Sequence, residues 1–389
     1  MDNRLRALYL DTVSQRIVII GASYAGMCSA LALCSKGLDV CIVERAETPG
    51  RRGSGVVVQP RMEEQLKQNG LESRDAIGIA PLGRRLFRGD GSMVELPLDG
   101  TYYTGWDTLL NRLEASLPEK CILRGLSLQD LTVQPDRVVA HFHTGEEWIA
   151  DVLIGADGIG SRTRQILDPQ IFPEFAGYVA YRGVVDETHI APGYRHGMGS
   201  YFNIVELPRG QFLSYPISGP EGQTAEGERR INWVWYVPES QDAPESFRDR
   251  QGVLHRSTVA PGLVREEVRE HILGIAHRDF PPEFSQLVAK TEEPFIQRVV
   301  DMMPRKMVFG RAVLVGDAAS IVRPHTGSGS AKAVADAVLL AEHLSATPHL
   351  NDCAAVENHL TAWEEERLTA NRALVERGRA LASEFGIDE

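Results

Sequence analysis

The first strong hydrophobic pattern in the chain is that of a strand, a helix and a second strand. After a loose leader over residues 1–13, the run from Arg16 to Gly21 is apolar and β-branched, which is typical of a strand buried on both faces of a parallel sheet. The Ala- and Leu-rich stretch from Met27 to Lys36 predicts a helix that stops at Gly37. Residues 38–44 predict another buried strand, so the pattern indicates a βαβ unit.

The pattern changes twice further along the chain. Residues 106–117 have the apolar spacing of a helix, and residues 151–158 predict a strand that runs into a glycine turn. Between roughly 175 and 300, short β-rich pieces such as YVAYRGVV, FLSYPI and INWVWYV predict an antiparallel sheet, followed by an amphipathic helix. The buried-strand pattern returns over residues 311–319 before a long apolar helix, and residues 357–385 predict a charged amphipathic helical tail.

These changes predict an α/β domain of the nucleotide-binding type that is interrupted by a second, α+β domain and then completed. At 389 residues the chain is long enough for two well-buried cores. We place the three parts of the first domain at residues 14–80, 101–175 and 301–350, the second domain at 81–100 and 176–300, and the C-terminal helical tail at 351–389.

Charge narrows the choice of partners. The 41 Lys and Arg residues against 53 Asp and Glu residues give a net charge of -12, which repels phosphate backbones and anionic lipid surfaces. We therefore expect neither nucleic acid nor a membrane as partner. The uncharged run from Ile17 to Ser35 has about the length of a membrane span, but its glycines, its serines and Tyr24 make it a poor one. The N-terminus has no recognisable secretion signal.

The cysteines point to a reducing compartment. Five is an odd number, and no C-x-x-C spacing occurs, which argues against a disulfide framework and against a zinc cage. Reduced thiols fit a cytoplasmic protein. The histidines show no ligand spacing either, so no metal is predicted.

The first constellation with chemical meaning is the turn GASYAG, residues 21–26, between the first strand and the first helix. Gly21 permits a tight turn, Gly26 lets helix and strand approach, and the helix N-terminus offers N–H groups to a pyrophosphate. Glu44, at the end of the next strand, is suited to accept from ribose hydroxyls. Ser23 replaces the middle glycine of the usual fingerprint, and the alternative is a tight turn that binds nothing. The contacts expected here are Gly21, Ser23, Tyr24, Ala25, Gly26, Glu44 and Arg45.

Two more strand-to-turn motifs follow, GADGIGSRTR at residues 155–164 and a long segment at 310–344 that begins GRAVLVGDAAS. Taken singly, their Asp-Gly and Gly-Asp pairs are ordinary turn residues. In this order and spacing, the three motifs resemble those of the single-component FAD-dependent aromatic hydroxylases, the para-hydroxybenzoate hydroxylase family. The resemblance runs from about residue 14 to 380. Within the family it is closest to the 2,6-dihydroxypyridine hydroxylases, through the GxSxxG turn and residues 55–60, 176–184 and 323–333.

This resemblance implies a Rossmann-like FAD-binding domain with an inserted antiparallel-sheet substrate domain and C-terminal helices. It implies that Asp317 accepts hydrogen bonds from the ribityl chain, and that Asp157 with Arg164 holds the sheet junction near FAD and supports nicotinamide delivery. The turn at residues 327–329 precedes a helix, whose N–H groups and positive dipole end could face the flavin N1/C2=O edge and stabilise the anion formed on reduction. The further FAD contacts expected are Gly55, Pro324, Gly327, Ser328, Gly329 and Ser330.

The same resemblance implies a reaction. FAD takes hydride from NAD(P)H, forms a flavin C4a-hydroperoxide with O2, and one OH is transferred to an electron-rich aromatic or heteroaromatic ring of the phenol or hydroxypyridine type. The partners are then a small aromatic substrate and O2, and a homodimer is compatible with the family. Three positions depart from the family pattern: Ser320 stands where histidine is common, Ala331 where asparagine is common, and Trp106 where an arginine often contacts FAD.

The candidate catalytic and substrate residues are fewer. The resemblance puts His325 beside the flavin, where it could hold or deprotonate the substrate; the alternative is a packing histidine. Tyr215 is the fallback. Trp233 and Trp235 share one face of a predicted strand and could clamp a flat ring, or they could simply fill the core. Arg182 is the remaining substrate candidate.

Two other functions stay open at this point. The string WVWYVP resembles the W-x-W-x-I-P signature of flavin-dependent halogenases, which favours an FAD-dependent halogenase or oxidase of an aromatic metabolite. However, halogenases need a lysine to carry the halogen, and no comparable motif context is recognisable here. A protein of another class could use this fold to bind a partner without turnover. Retention of all three FAD motifs argues against that alternative.

Overall fold

The computed structural model describes residues 17–48, 54–71, 78–208, 210–239, 244–347 and 349–387; the predicted leader over residues 1–13 lies outside these ranges. The strands in chain order are β1 (Ile17–Ile20), β2 (Val40–Glu44), β3 (Gly55–Val58), β4 (Arg84–Phe87), β5 (Met93–Leu96), β6 (Tyr102–Gly105), β7 (Ile122–Arg124), β8 (Leu128–Val133), β9 (Val138–Phe142), β10 (Glu147–Ala150), β11 (Val152–Gly155), β12 (Glu174–Asp186), β13 (Phe202–Glu206), β14 (Gln211–Ile217), β15 (Arg230–Pro238), β16 (Thr258–Val259), β17 (Phe295–Asp301), β18 (Val308–Phe309) and β19 (Ala312–Leu314).

The helices in chain order are α1 (Tyr24–Ser35), α2 (Pro60–Gln68), α3 (Trp106–Ala115), α4 (Arg162–Leu167), α5 (Pro192–Gly197), α6 (Glu266–Asp279), α7 (Pro282–Lys290), α8 (Gly329–Ser345) and α9 (Cys353–Glu384). Short 3-10 turns occupy Glu187–His189, Pro244–Phe247, Gly316–Ala318 and Pro324–Thr326.

The central sheet of the nucleotide-type fold has six strands in the order β18-β19-β11-β1-β2-β7. Strand β1 is parallel to both neighbours, with Ile19 opposite Ile42 on one side and Ile154 on the other. All three of these side chains are fully buried, because α1 and α8 cover one face of the sheet and the sheet β10-β9-β8 covers the other. The predicted βαβ unit is confirmed, although α1 begins at Tyr24 rather than Met27 because the turn before it is so tight.

The second sheet has eight strands in the order β16-β17-β12-β15-β14-β13-β4-β5. Its pairings are antiparallel except for β13 with β4, and β4–β5, β13–β14 and β14–β15 are pairs of strands that follow one another in the chain. This is the predicted antiparallel sheet, and the fold class is confirmed.

Side chains alternate across this sheet, and its two faces have different neighbours. The outer face carries Tyr181, Phe212, Trp233 and Trp235 and packs against α6 and α7. The inner face carries Arg182, Tyr215, Asn232, Val234 and Tyr236, as the pairing of β12, β14 and β15 shows. The inner face is directed toward the six-stranded sheet. Strand β3 and the C-terminal end of α9 pack on this inner face.

The C-terminal helix α9 is 32 residues long and begins earlier than its predicted start at residue 357. Its first turn is capped by Asp352, whose Oδ1 accepts a hydrogen bond from the Ala355 N–H at 3.0 Å. Val356, Leu360 and Trp363 are buried in the core beside α8. The helix is therefore part of the nucleotide-type core rather than an appendage.

Candidate cofactor and substrate site

The glycine turn after β1 leaves no room for a side chain at Gly21 or Gly26. Gly21 has a φ of +107°, and a Cβ there would lie 2.7 Å from the carbonyl oxygen of Ala156. A Cβ on Gly26 would overlap the carbonyl oxygen of Gly21. Glycine is required at both positions, and the close approach brings the first N–H groups of α1 to the edge of the sheet. Ser23 is the N-cap, and its side chain makes no capping hydrogen bond.

The carboxylate of Glu44 is fixed beside this turn. Its Oε2 accepts from the Ala22 N–H at 2.8 Å, and its Oε1 accepts from the Ala46 N–H at 2.8 Å. An anionic acceptor held at the end of β2, next to a helix N-terminus, has the position that the adenosine ribose requires in dinucleotide-binding folds. Arg45, the next residue, is exposed.

Three turn motifs meet at one edge of the six-stranded sheet. Strands β1, β11 and β19 are parallel, so their carboxyl ends, at Gly21, Ala156 and Val315, lie side by side. This edge is where ligands bind in open parallel sheets. Three motifs that are far apart in the sequence thus lie together at one edge of the sheet.

Asp157 and Arg164 join the second motif to the third. The carboxylate of Asp157 accepts from the Ser161 hydroxyl and, at 3.0 Å, from the Thr163 N–H, so it organises the start of α4. The buried Arg164 guanidinium donates to the carbonyl oxygens of Asp317 at 3.3 Å and Ala318 at 3.1 Å. Burial lowers the pKa of Arg164, and the nearby Asp157 and Asp317 carboxylates oppose that shift. This geometry supports a junction role; delivery of the nicotinamide stays a prediction.

The third motif contains residues that the sequence reasoning missed. Gly316, which has a φ of +58°, precedes Asp317. Its N–H donates to Asp336 Oδ2 at 3.1 Å, and its carbonyl oxygen accepts from Lys332 Nζ at 2.8 Å. Both side chains come from α8 and are wholly buried. The signal was present in the sequence as two charged residues four positions apart in the apolar first part of the helix.

The loop before α8 lies against strand β3. Gly327 has a φ of +60°, and a Cβ on it would lie 3.7 Å from the Val57 side chain. Gln59 Nε2 donates to the Gly327 carbonyl oxygen at 3.3 Å. The Ser328 hydroxyl donates to the Thr326 carbonyl oxygen at 3.0 Å, which tightens the turn. The start of α8 at Gly329 therefore faces the same region as β3, as a flavin site at this helix N-terminus requires.

Strand β3 also touches the inner face of the eight-stranded sheet. The Gly55 N–H donates to Asn232 Oδ1 at 2.7 Å, and a Cβ on Gly55 would lie 2.5 Å from the ring of Tyr215. Gly55 thus allows Tyr215 to close on the strand. Residues on β3 form the link between the loop at Gly327 and the inner face.

Arg182 is a cation on this inner face. Its Nη1 donates to Gln297 Oε1 at 3.1 Å, and its guanidinium lies 5.5 Å from the centre of the Phe295 ring. Within the described ranges, no carboxylate lies within 4 Å of it. Burial raises the pKa of Tyr215 and of Tyr236, and the charge of Arg182 opposes both shifts. Both phenols therefore stay protonated at neutral pH.

His325 lies at the other end of the inner face from Tyr215. Its Nε2 is 2.9 Å from the Tyr178 hydroxyl, and its ring stacks on that of Tyr178 with centroids 5.6 Å apart. Tyr178 and Val184 are six residues apart on β12, and Val184 is in register with Asn232, the neighbour of Tyr215. At about 3.3 Å per residue, that separation is roughly 20 Å. The structure does not bring the two catalytic candidates to one point.

The assignment of Trp233 and Trp235 to the substrate has to be corrected. Both lie on the outer face, away from β3. The Trp233 indole N–H donates to Thr291 Oγ1 at 2.8 Å, and the ring of Trp235 meets Phe280 edge-on at 5.0 Å. Trp235 also borders a cavity of about 680 Å³ on this outer side. The two tryptophans fill the core between the sheet and α6, which was the alternative reading.

The described residues also show no metal site and no membrane-spanning helix. They contain no group of three or more His, Cys, Asp or Glu side chains that could hold a metal ion. Among the helices in the part of the chain that the structure describes, none is both long enough and apolar enough to span a bilayer.

Comparison with known proteins agrees with this geometry. Family models match three stretches: FAD binding domain-like at residues 175–301, pyridine nucleotide-disulphide oxidoreductase at 16–76, and squalene epoxidase at 257–386. The 2,6-dihydroxypyridine 3-monooxygenase of Paenarthrobacter nicotinovorans is 32% identical, over 96% of this chain and 92% of its own. The 6-hydroxynicotinate 3-monooxygenase of Pseudomonas fluorescens is 28% identical, over 85% of this chain and 83% of its own.

A solved structure gives the same result in three dimensions. The 2,6-dihydroxypyridine-3-hydroxylase from Arthrobacter nicotinovorans superposes with a TM-score of 0.87 at 30% identity, covering 96% of this chain and 93% of that one. A dinucleotide turn, two further motifs at the same sheet edge and an opposed antiparallel sheet define an FAD-dependent oxidoreductase. With the identity over nearly the whole chain, this protein belongs to the family of single-component FAD-dependent aromatic hydroxylases. It is a monooxygenase of aromatic or heteroaromatic rings, with FAD as cofactor and NAD(P)H as co-substrate.

Proposed function

We propose that this enzyme hydroxylates a hydroxypyridine or a related phenol that binds in ionised form beside Arg182. The observation that supports the proposal is the set of groups that surround the Arg182 guanidinium. It faces the inner side of the sheet with a neutral partner, Gln297, and no carboxylate nearby among the described residues. A partly buried cation of this kind favours an anionic ligand.

Ionisation of the ring hydroxyl suits the reaction. A phenolate oxygen raises the electron density at the ring carbons ortho and para to it, which makes them better nucleophiles toward an electrophilic oxygen atom. In 2,6-dihydroxypyridine, carbon 3 is ortho to one hydroxyl and para to the other, and carbon 3 is the position that the name of the 32% identical relative specifies. The relative that acts on 6-hydroxynicotinate is also named for position 3, which is para to the hydroxyl.

The residues of the inner face divide the remaining tasks. FAD, held at the three turns, would supply hydride acceptance and oxygen activation. Arg182 lowers the pKa of the bound substrate hydroxyl through its charge. Tyr215 stays protonated, because burial raises its pKa, and so acts as a hydrogen-bond donor to an anionic ring oxygen rather than as a base. This assignment differs from the expectation that Tyr215 could remove a proton.

The test compares two arginines on opposite faces of the sheet. Arg182→Met is expected to weaken binding of 2,6-dihydroxypyridine by roughly tenfold or more, as loss of a charge-assisted contact would. Binding is measured from the change in flavin absorbance, and the hydroxylated product is identified by mass. Arg298→Met is the matched control, since Arg298 lies on the same sheet but stacks near Phe247 on the outer face.

Arg182→Lys separates charge from shape. It should retain much of the affinity and shift the pH dependence of binding, because a lysine keeps the charge while losing the planar fork. Equal affinity in the parent and Arg182→Met, with FAD bound in both, would refute the anionic substrate. A parent enzyme that oxidises NAD(P)H only in response to non-ionisable rings would refute it as well.

Location and assembly are further proposals. All five cysteines are free thiols, which supports a reducing, cytoplasmic compartment. A homodimer is compatible with the family and is checked by measuring the mass of the purified protein in solution.

A further inference from the structure

Asp336 lies at the centre of a fully buried polar network behind the cofactor motifs. One carboxylate oxygen accepts the Gly316 N–H at 3.1 Å. The other accepts Arg367 Nε at 2.8 Å and Asn371 Nδ2 at 3.3 Å. Asp336 is on α8, whereas Arg367 and Asn371 are on α9. One side chain thus connects the C-terminal helix with the turn that carries Asp317.

Lys332 completes the hold on that turn. Its ammonium donates to the Gly316 carbonyl oxygen at 2.8 Å and lies 3.5 Å from Asp336 Oδ2. Both backbone groups of Gly316 are therefore held by buried, charged side chains. Gly316 also closes on α1, since a Cβ there would lie 2.5 Å from the Cβ of Ala25. The peptide next to Asp317 is thus fixed from two sides.

The network is costly to bury and has few alternative arrangements. Burial of an ion is tolerated only when its hydrogen bonds are satisfied, and removal of one partner leaves the others unpaired. Asp336 has four donors around it, three of them in side chains. If α9 moved away, Asp336 would lose Arg367 and Asn371, and its Oδ1 would be left without these two donors in a buried site.

We propose that Asp336 and Lys332 are positioning residues for the cofactor, and that they couple FAD binding to the docking of α9 on α8. The proposal rests on FAD binding at the three turns and is independent of which substrate the enzyme takes. Coupling between two sites is reciprocal, so it makes two predictions. Loosening α9 should weaken FAD binding, and FAD should in turn protect α9.

The affinity experiment uses two matched buried ion pairs. Arg367 and Arg229 are each 7% exposed in the side chain, and each pairs with a fully buried carboxylate. Arg229 directly precedes β15 and pairs with Glu187, which directly follows β12, so this pair lies at the border of the eight-stranded sheet rather than in one of the three cofactor turns. Arg367→Met and Arg229→Met should both lower the melting temperature. Only Arg367→Met should raise the Kd of the apoprotein for FAD, by roughly fivefold or more, when FAD fluorescence is titrated below both melting temperatures.

A second measurement needs no variant. Hydrogen exchange of the parent protein is followed with and without FAD in peptides that cover residues 363–375. Slower exchange with FAD supports coupling, and the same protection should be largely lost in Arg367→Met. Equal FAD affinity for the two variants, or exchange in these peptides that FAD does not change, overturns the proposal. Because neither readout involves substrate, loss of the anionic-substrate proposal would leave both unchanged.

Discussion

The neighbours of His325 indicate which of its two predicted roles, substrate contact or packing, the structure favours. Its Nε2 is engaged by the Tyr178 hydroxyl, and the rings of Tyr236 and Phe385 pack edge-on against it. Phe385 directly follows the last residue of α9. These contacts tie the loop before α8 to the sheet and to the C-terminal segment. They favour a packing role for His325 over that of a base.

We therefore expect His325→Asn to keep FAD and to retain the ratio of hydroxylated product to NAD(P)H consumed. The melting temperature should fall, since loss of the ring leaves its aromatic neighbours underpacked. Product and peroxide are quantified per NAD(P)H across a pH series. A collapse of coupling toward peroxide, with FAD still bound, would identify His325 as the group that holds or deprotonates the substrate.

At the scale of elements, the glycine turn after β1 allows a direct prediction, because its backbone leaves no room for a side chain at Gly26. Gly26→Ala would force the new methyl group into the carbonyl oxygen of Gly21, so we expect loss of FAD binding and a marked drop in stability. Both are measured by flavin retention on gel filtration and by thermal melting.

Gly274→Ala is the matched control for this change. Gly274 lies within α6, and a Cβ there meets nothing within 4 Å. The same substitution should therefore stabilise the protein by about 0.5–1 kcal/mol through helix propensity, with FAD retained. Equal effects of the two substitutions would contradict the close approach at Gly26.

Helices and strands were predictable from the sequence where a single pattern, such as a continuous apolar run, determined the element. The buried strands β1, β2 and β11 and the helix α1 followed from apolar runs and a glycine fingerprint. The sheet β10-β9-β8 was not predicted. Its strands β9 and β10 alternate in burial, but their outward positions include the apolar residues Val139 and Ile149, which hide the period in the sequence. Periodicity put Trp233 and Trp235 on one face of β15 but could not say which face met the cofactor. That choice depends on long-range packing, such as Gly55 against Asn232.

At the scale of the whole molecule, an ion pair joins the eight-stranded sheet to helix α3. Arg230 of β15 binds the Asp107 carboxylate through two N–H groups at 2.9 Å each, and its Nε donates to the Ser218 carbonyl oxygen at 2.9 Å. Asp107 is in the first turn of α3, on the cofactor side. The orientation of the eight-stranded sheet toward the cofactor edge therefore depends in part on one bidentate contact.

Arg230→Met should lower the free energy of unfolding by about 2–4 kcal/mol, since it leaves Asp107 and a carbonyl without their donor. Urea denaturation followed by fluorescence gives the value. Arg137→Met removes an exposed pair with Asp136 and should change stability by about 0.5 kcal/mol or less. Similar losses of unfolding free energy for both variants would show that the Arg230–Asp107 pair contributes no more than an exposed surface pair.

The separation of the two faces of the eight-stranded sheet has a consequence for engineering. Along β12, β14 and β15, alternate positions belong either to the dense aromatic core under α6 and α7 or to the inner face, where we propose that the substrate binds. A library restricted to Arg182, Val184, Leu213 and Val234 would vary pocket shape and charge while leaving the outer face untouched. Substrate range in this scaffold can then be diversified with little loss of foldability, because the strand period itself keeps the two sets of mutations apart.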